Sequence, residues 1–112
     1  MDKAELQELT GAVYGIVRLV PEGRATSYGA LARAIGRPDH SRLVGRIMGR
    51  CDSARSGVPA HRVVNSSGVL SARSAFETPT QMQELLEAEG VVIRNHRIVN
   101  WKRVFWDPIE EL

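Results

Sequence analysis

Arginine is the residue whose number and spacing first suggest chemistry in this 112-residue chain. Arg24, Arg33, Arg37, Arg42, Arg46, Arg50, Arg55, Arg62 and Arg73 fall between residues 24 and 73, against only Asp39 and Asp52, a net charge of +7. Residues 1–23 carry −2 and residues 74–112 carry −3, so the overall +2 conceals a basic middle between acidic flanks. Within that middle, Arg42, Arg46 and Arg50 recur every four residues, which lines them along one face of a helix. A planar guanidinium makes paired hydrogen bonds to phosphate and can stack on bases. The chemistry implied is binding of a polyanion, with nucleic acid foremost. A solvated basic face is the plain alternative. Cys51 is the sole thiol. One cysteine excludes a disulfide framework and any cysteine-rich zinc module, and lone cysteines are usually inert.

The length fits one domain spanning residues 1–112. With 43% hydrophobic residues the chain can bury a core. No apolar run approaches the ~20 residues of a membrane span. Met1-Asp2-Lys3-Ala4-Glu5 lacks the apolar stretch of a signal peptide, so a cytoplasmic location is expected, nucleoid-associated if the source is bacterial.

The elements that must position these residues are mainly α-helical. Leu6, Leu9, Val13, Ile16, Val17 and Val20 predict an amphipathic helix over 3–20, broken by Pro21-Glu22-Gly23. A second helix is expected over 27–35, capped by Thr26 or Ser27 and stopped by Gly36. Asp39 can cap a third over 40–50, with Leu43, Val44, Ile47 and Met48 inward. Two short helices around a tight turn, the second rich in arginine, read as a helix-turn-helix. Residues 51–59 read as a loop. His61–Val64 and Val69-Leu70 flank Asn65-Ser66-Ser67-Gly68, which predicts a small hairpin or wing. Thr78, Pro79 and Gln81 predict a capping box for a last helix with Met82, Leu85 and Leu86 on its apolar face and Gly90 at its end. Val91-Val92-Ile93 reads as a short strand, and the Trp101–Trp106 tail as packing back on the core.

Pro59-Ala60-His61-Arg62-Val63-Val64 follows the arginine helix with its Ser41-Arg42-Leu43-Val44-Gly45, and the helix start at Thr26-Ser27-Tyr28-Gly29. In this order, over roughly residues 5–93, the chain resembles the DNA-binding domain of the O6-alkylguanine-DNA alkyltransferases, whose signature is Pro-Cys-His-Arg-Val. The resemblance implies a fold that is mainly α with a small β-hairpin, the winged helix-turn-helix-like alkyltransferase C-terminal domain. One departure matters most: Ala60 stands where the nucleophilic cysteine belongs. A methyl group has no lone pair with which to attack an alkyl carbon. His61 and Glu89 match the family's base and its orienting carboxylate, here with no thiol to deprotonate. Ser71-Ala72-Arg73-Ser74 replaces the family's Tyr-Ser-Gly-Gly type loop, and this too is similar to the alkyltransferase-like proteins, which lack the cysteine.

The resemblance therefore implies a non-enzymatic sensor. It would bind double-stranded DNA containing O6-alkylguanine, rotate the nucleotide out, leave the alkyl group in place and flag the site for nucleotide-excision repair proteins. Arg42 would enter the base stack and Tyr28 would crowd the phosphate. Arg46, Arg50, Ser66 and Ser67 would contact the backbone. Tyr28, Met48, Ala60, His61, Val63 and Arg73 would surround the flipped base, with the Ala60 and Val63 carbonyls accepting from guanine and Arg73 stacking on it. No cofactor, metal or membrane is implied, and a monomer is expected. The alternatives are an alkyltransferase whose cysteine was replaced by engineering, an enzyme using Cys51, and a winged-helix regulator of undamaged DNA.

Overall fold

The computed structural model describes all residues from Met1 to Leu112. Helix α1 spans Lys3–Val17, and its Asp2 cap accepts from the Glu5 N–H at 2.8 Å. Two tight turns carry the chain on to the buried Val20, so the sequence pattern persists for one turn beyond the α-helix itself. A short strand, β1 (Thr26–Ser27), leads into α2 (Tyr28–Ala34). Of the two expected caps Ser27 does the work, its hydroxyl accepting from the Ala30 N–H at 3.1 Å. Gly36 ends α2 at φ +77, with Gly36 N–H on Arg33 and Arg37 N–H on Ala32 satisfying the last carbonyls. Helix α3 (Ser41–Gly49) follows after a short turn. Asp39 does not cap it. His40 occupies that position without a side-chain bond, leaving Asp39 in solvent.

The expected loop after α3 contains a single helical turn, α4 (Ser53–Ser56), capped by Asp52 and stopped by Gly57 at φ +72. A 3-10 turn over Ala60–Arg62 then feeds β2 (Val63–Val64), which pairs in parallel with β1. The expected hairpin over 61–70 is therefore not a hairpin. Asn65–Gly68 form a turn held by the Asn65 side chain, which accepts from the Ser67 and Val69 N–H groups at 2.9 Å each. A second 3-10 turn covers Arg73–Ala75. Helix α5 (Gln81–Ala88) starts later than the capping box predicts, and Thr80 at its cap makes no side-chain bond to the backbone, its hydroxyl donating to Glu84 Oε1 at 3.0 Å instead. The Gln81 side chain still reaches back, but to the Glu77 N–H at 3.0 Å. Met82 and Leu86 are buried, whereas Leu85 is exposed.

The hairpin of this fold lies further on. β3 (Ile93–Arg94) and β4 (Arg97–Ile98) are antiparallel, joined by Asn95 and His96, both at positive φ. Two short helices, α6 (Trp101–Val104) and α7 (Pro108–Glu111), close the chain. Between them the expected packing of the tail is seen: Trp106 is buried and Phe105 forms a parallel bridge with Ala25.

Two apolar cores result. One joins Leu9, Val13 and Val17 of α1 to Leu31, Val44, Ile47 and Met48 of the helix pair and to Ala60 and Val63. The other gathers Ala25, Val64, Leu70, Met82, Leu86, Val91 and Ile98. Neighbouring residues of a strand face opposite ways, so Val63 enters one core and Val64 the other. The β1–β2 pair is thus the seam that fixes the helix-turn-helix relative to the Pro59–Val64 segment. No helix is long and apolar enough to cross a membrane.

Candidate nucleic-acid interface and base pocket

Arg42, Arg46 and Arg50 are all exposed on α3, and none makes a hydrogen bond or ion pair within the protein. The opposite face of the same helix supplies Val44, Ile47 and Met48 to the core. Burial of one face thus fixes which way the arginines present themselves. The basic middle is narrower than its count of nine, because Arg24, Arg37, Arg62 and Arg73 all bond within the protein. Arg24 donates to the carbonyls of Val104 and Phe105 at 3.0 and 2.7 Å. Arg37 pairs with Glu5 at 2.8 Å. Arg62 is largely buried against Glu89. Ser66 and Ser67 are exposed on their turn, which is braced where Trp101 Nε1 donates to the Ser66 carbonyl at 3.0 Å. Gly68, at φ +81, lies under the Trp101 ring so closely that a Cβ there would sit 3.0 Å from it.

A cavity of about 330 Å³ opens beside α3. Tyr28 from the start of α2, Met48 from α3 and Ala60 line it, as the sequence implies. The side chains of His61, Val63 and Arg73 do not. Val63 is buried in the first core, and its carbonyl is the part the resemblance invokes. The Arg73 guanidinium donates to the Leu70 carbonyl at 3.1 Å, at the edge of the loop that bounds the cavity. The rest of the wall was not assigned to a site by sequence: Asp52 to Ala54, Ala72, Ala75, Phe76, Glu77, Gln81 and Leu85. Leu85, exposed on α5 where the pattern predicts core, belongs to this wall. Burial pushes the Tyr28 phenol above its ordinary pKa, against an opposing hydrogen bond with Ser71. The phenol is therefore neutral at physiological pH. Cys51, placed on a loop and set aside by sequence, also lines the cavity. Its Sγ lies 3.8 Å from the Ser56 hydroxyl, and Tyr14 is its other polar neighbour. Neither is a base.

His61 turns instead to Glu89, with Nε2 2.6 Å from Oε2. The same carboxylate takes bonds from Arg62 Nε at 3.0 and 3.1 Å, from Arg62 Nη2 at 2.8 Å and from the Gly23 N–H at 3.1 Å. Arg62 Nη1 completes the network on the Val20 carbonyl at 2.9 Å. Burial would raise the Glu89 pKa, but the bonds from Arg62, His61 and Gly23 outweigh it and hold the carboxyl down at about 2. The His–Glu pair that matches the alkyltransferases is thus formed, next to a residue that cannot be deprotonated. Arg62 as the second partner of that carboxylate was missed, since a guanidinium counted by charge looks like surface.

A helix-turn-helix with an unpaired arginine face, set beside a cavity of about 330 Å³, defines a domain of the DNA-binding kind. Residues 8–91 match the family described as 6-O-methylguanine DNA methyltransferase, DNA binding domain, and the chain belongs to that family. Alkyltransferase-like protein 1 of Schizosaccharomyces pombe is 33% identical, over 92% of this chain and 98% of the relative. The DNA base-flipping protein of Escherichia coli is 37% identical, over 85% of this chain and 71% of that protein. The crystal structure of S. pombe Atl1 in complex with damaged DNA containing O6-carboxymethylguanine superposes with a TM-score of 0.80 at 33% identity, covering 89% of this chain and 95% of that one.

Proposed function

We propose that this protein is a DNA-damage sensor that flips O6-alkylguanine out of duplex DNA, holds it without removing the alkyl group, and exposes the site to nucleotide-excision repair. The observation that carries this reading is Ala60 on the cavity wall, beside an intact His61–Glu89 pair. In this reading the His61–Glu89 pair is what remains of an alkyl-transfer centre, and the methyl of Ala60 cannot serve as its nucleophile. Extrusion costs a few kcal/mol, and the unpaired arginines of α3 are the groups available to offset it. Arg42 fills the gap in the stack, while Arg46, Arg50 and the Ser66–Ser67 turn hold the backbone. Tyr28, neutral and half-buried at the cavity edge, crowds the phosphate. The base lies against Met48 and Ala60, with the Ala60 and Val63 carbonyls facing its amino group. Arg73, released from the Leu70 carbonyl and turned into the cavity, stacks on it, a contact of about 1–2 kcal/mol when desolvated. The protein acts as a cytoplasmic monomer.

The test is a titration against duplexes carrying O6-methylguanine, a bulkier O6-alkylguanine or plain guanine, with a parallel assay using radiolabelled alkyl groups. Tighter binding to the lesions with no label on the protein is expected. Equal affinity for lesion and plain duplex would overturn the reading. One observation favours a second reading, an enzyme using Cys51, because that thiol shares the cavity. Label retained by wild type and lost in Cys51→Ser would establish it.

A further inference from the structure

The acidic balance of residues 74–112 conceals a second basic element. Residues 91–106 hold Arg94, Arg97, Lys102 and Arg103 and no Asp or Glu. All four are exposed, and none forms an ion pair or a side-chain hydrogen bond. The hairpin register puts Arg94 directly opposite Arg97. Directly opposed residues of an antiparallel pair share one face, and like charges there repel. The turn between them adds to the cost. Asn95 and His96 both take positive φ, where glycine would be easier than histidine. The free protein thus keeps two cations together on a strained hairpin with nothing to neutralise them.

The hairpin is also firmly placed. Arg97 bridges to Val69, Leu70 N–H donates to the His96 carbonyl at 2.8 Å, and Ile98 N–H to the Gly68 carbonyl at 2.9 Å. These bonds dock it on the chain that leaves the Ser66–Ser67 turn, and Trp101 fixes the turn itself from the next helix. The hairpin is therefore the element that adjoins that turn.

We propose that Arg94 and Arg97 form a phosphate-binding site that engages the DNA backbone on the flank beyond the Ser66–Ser67 turn. This rests on the DNA-binding reading above, but not on its lesion-specific part. The site reads no base. It anchors the protein on damaged and undamaged duplex alike, and a bound phosphate relieves the repulsion between the two guanidinium groups.

The test compares wild type with Arg94→Ala/Arg97→Ala on lesion-bearing and plain duplexes over a range of salt. Two lost phosphate contacts should lower the slope of log affinity against log salt by about 1.8, equally for both duplexes. The ratio of lesion to plain affinity should not change. Removing the duplex flank on one side of the lesion should weaken wild type and leave the double variant unaffected. The variant's thermal midpoint should match or exceed that of wild type at low salt, because a repulsive pair is gone. An unchanged slope, a changed lesion ratio or a lowered midpoint would each overturn the proposal. If wild type shows no lesion preference, the sensor reading fails while the hairpin contact is still measured on plain DNA.

Discussion

The exposed arginines of α3 and the buried Arg62 show what the same side chain does in two settings. Arg42, Arg46 and Arg50 have no partner in the protein. Arg62 has a bidentate carboxylate and a backbone carbonyl. An unpaired surface guanidinium contributes little to folding and is available to a ligand. A buried one, fully paired, is unavailable to any ligand and cannot lose its partner without leaving a charge stranded. Chemically identical groups are thus either left free for a ligand or locked into the fold, and the difference lies in what the backbone places beside each.

Three substitutions test that contrast. The largest effect is expected at Glu89. Glu89→Gln strands Arg62 and should cost roughly 3–5 kcal/mol of stability by denaturant titration. It should also alter the acid limb of stability. The Glu89 pKa of about 2 lies below its ordinary 4.5, so its contribution is complete above pH 4.5 and is lost as the pH falls towards 2. Wild type should weaken through that window, and the variant should not show this component. Next, Arg42→Ala should leave stability within about 0.5 kcal/mol. Its affinity for an O6-alkylguanine duplex should nevertheless fall by roughly 10- to 100-fold, in line with about 1.4 kcal/mol per decade. A large drop in thermal midpoint would show that Arg42 is structural after all. The smallest effect is expected for Arg46→Ala: a salt slope lower by about 0.9, the same on damaged and plain DNA. A selective loss on damaged DNA would move Arg46 from the backbone to the lesion.

Much of this fold is legible in the sequence wherever periodicity or a cap is long enough to read. The spacing Leu9, Val13, Val17 defines α1, and Ser27 and Gly36 bound α2. Two-residue strands carry no period, so Val63-Val64 could not announce a partner at Thr26–Ser27 far back in the chain. The hairpin went unread because its turn is Asn95-His96 rather than Asn-Gly, the pair that signals such a turn. At the site, Tyr28, Met48 and Ala60 are found through the resemblance. Phe76, Gln81 and Leu85 are not, because their place on the cavity wall depends on how Met82 and Leu86 seat α5 in the second core. The polar environment of Glu89 was half legible: His61 follows from the motif, while Arg62 and the Gly23 N–H come from tertiary packing.

The bridge between Ala25 and Phe105 bears on synthesis. Ala25 N–H donates to the Val104 carbonyl, and Trp106 N–H to the Ala25 carbonyl, so the residue just before β1 is held by residues 104–106, far along the sequence. Contacts so distant in sequence close late and slow folding. On the ribosome, α1 to α3 can begin to associate as they emerge, since their contacts all lie within residues 3–49. The strand seam beside the cavity gains this brace only after residue 106 has been made. Released chains truncated before Phe105 should therefore be cut by protease near Arg24, while chains that include Trp106 resist.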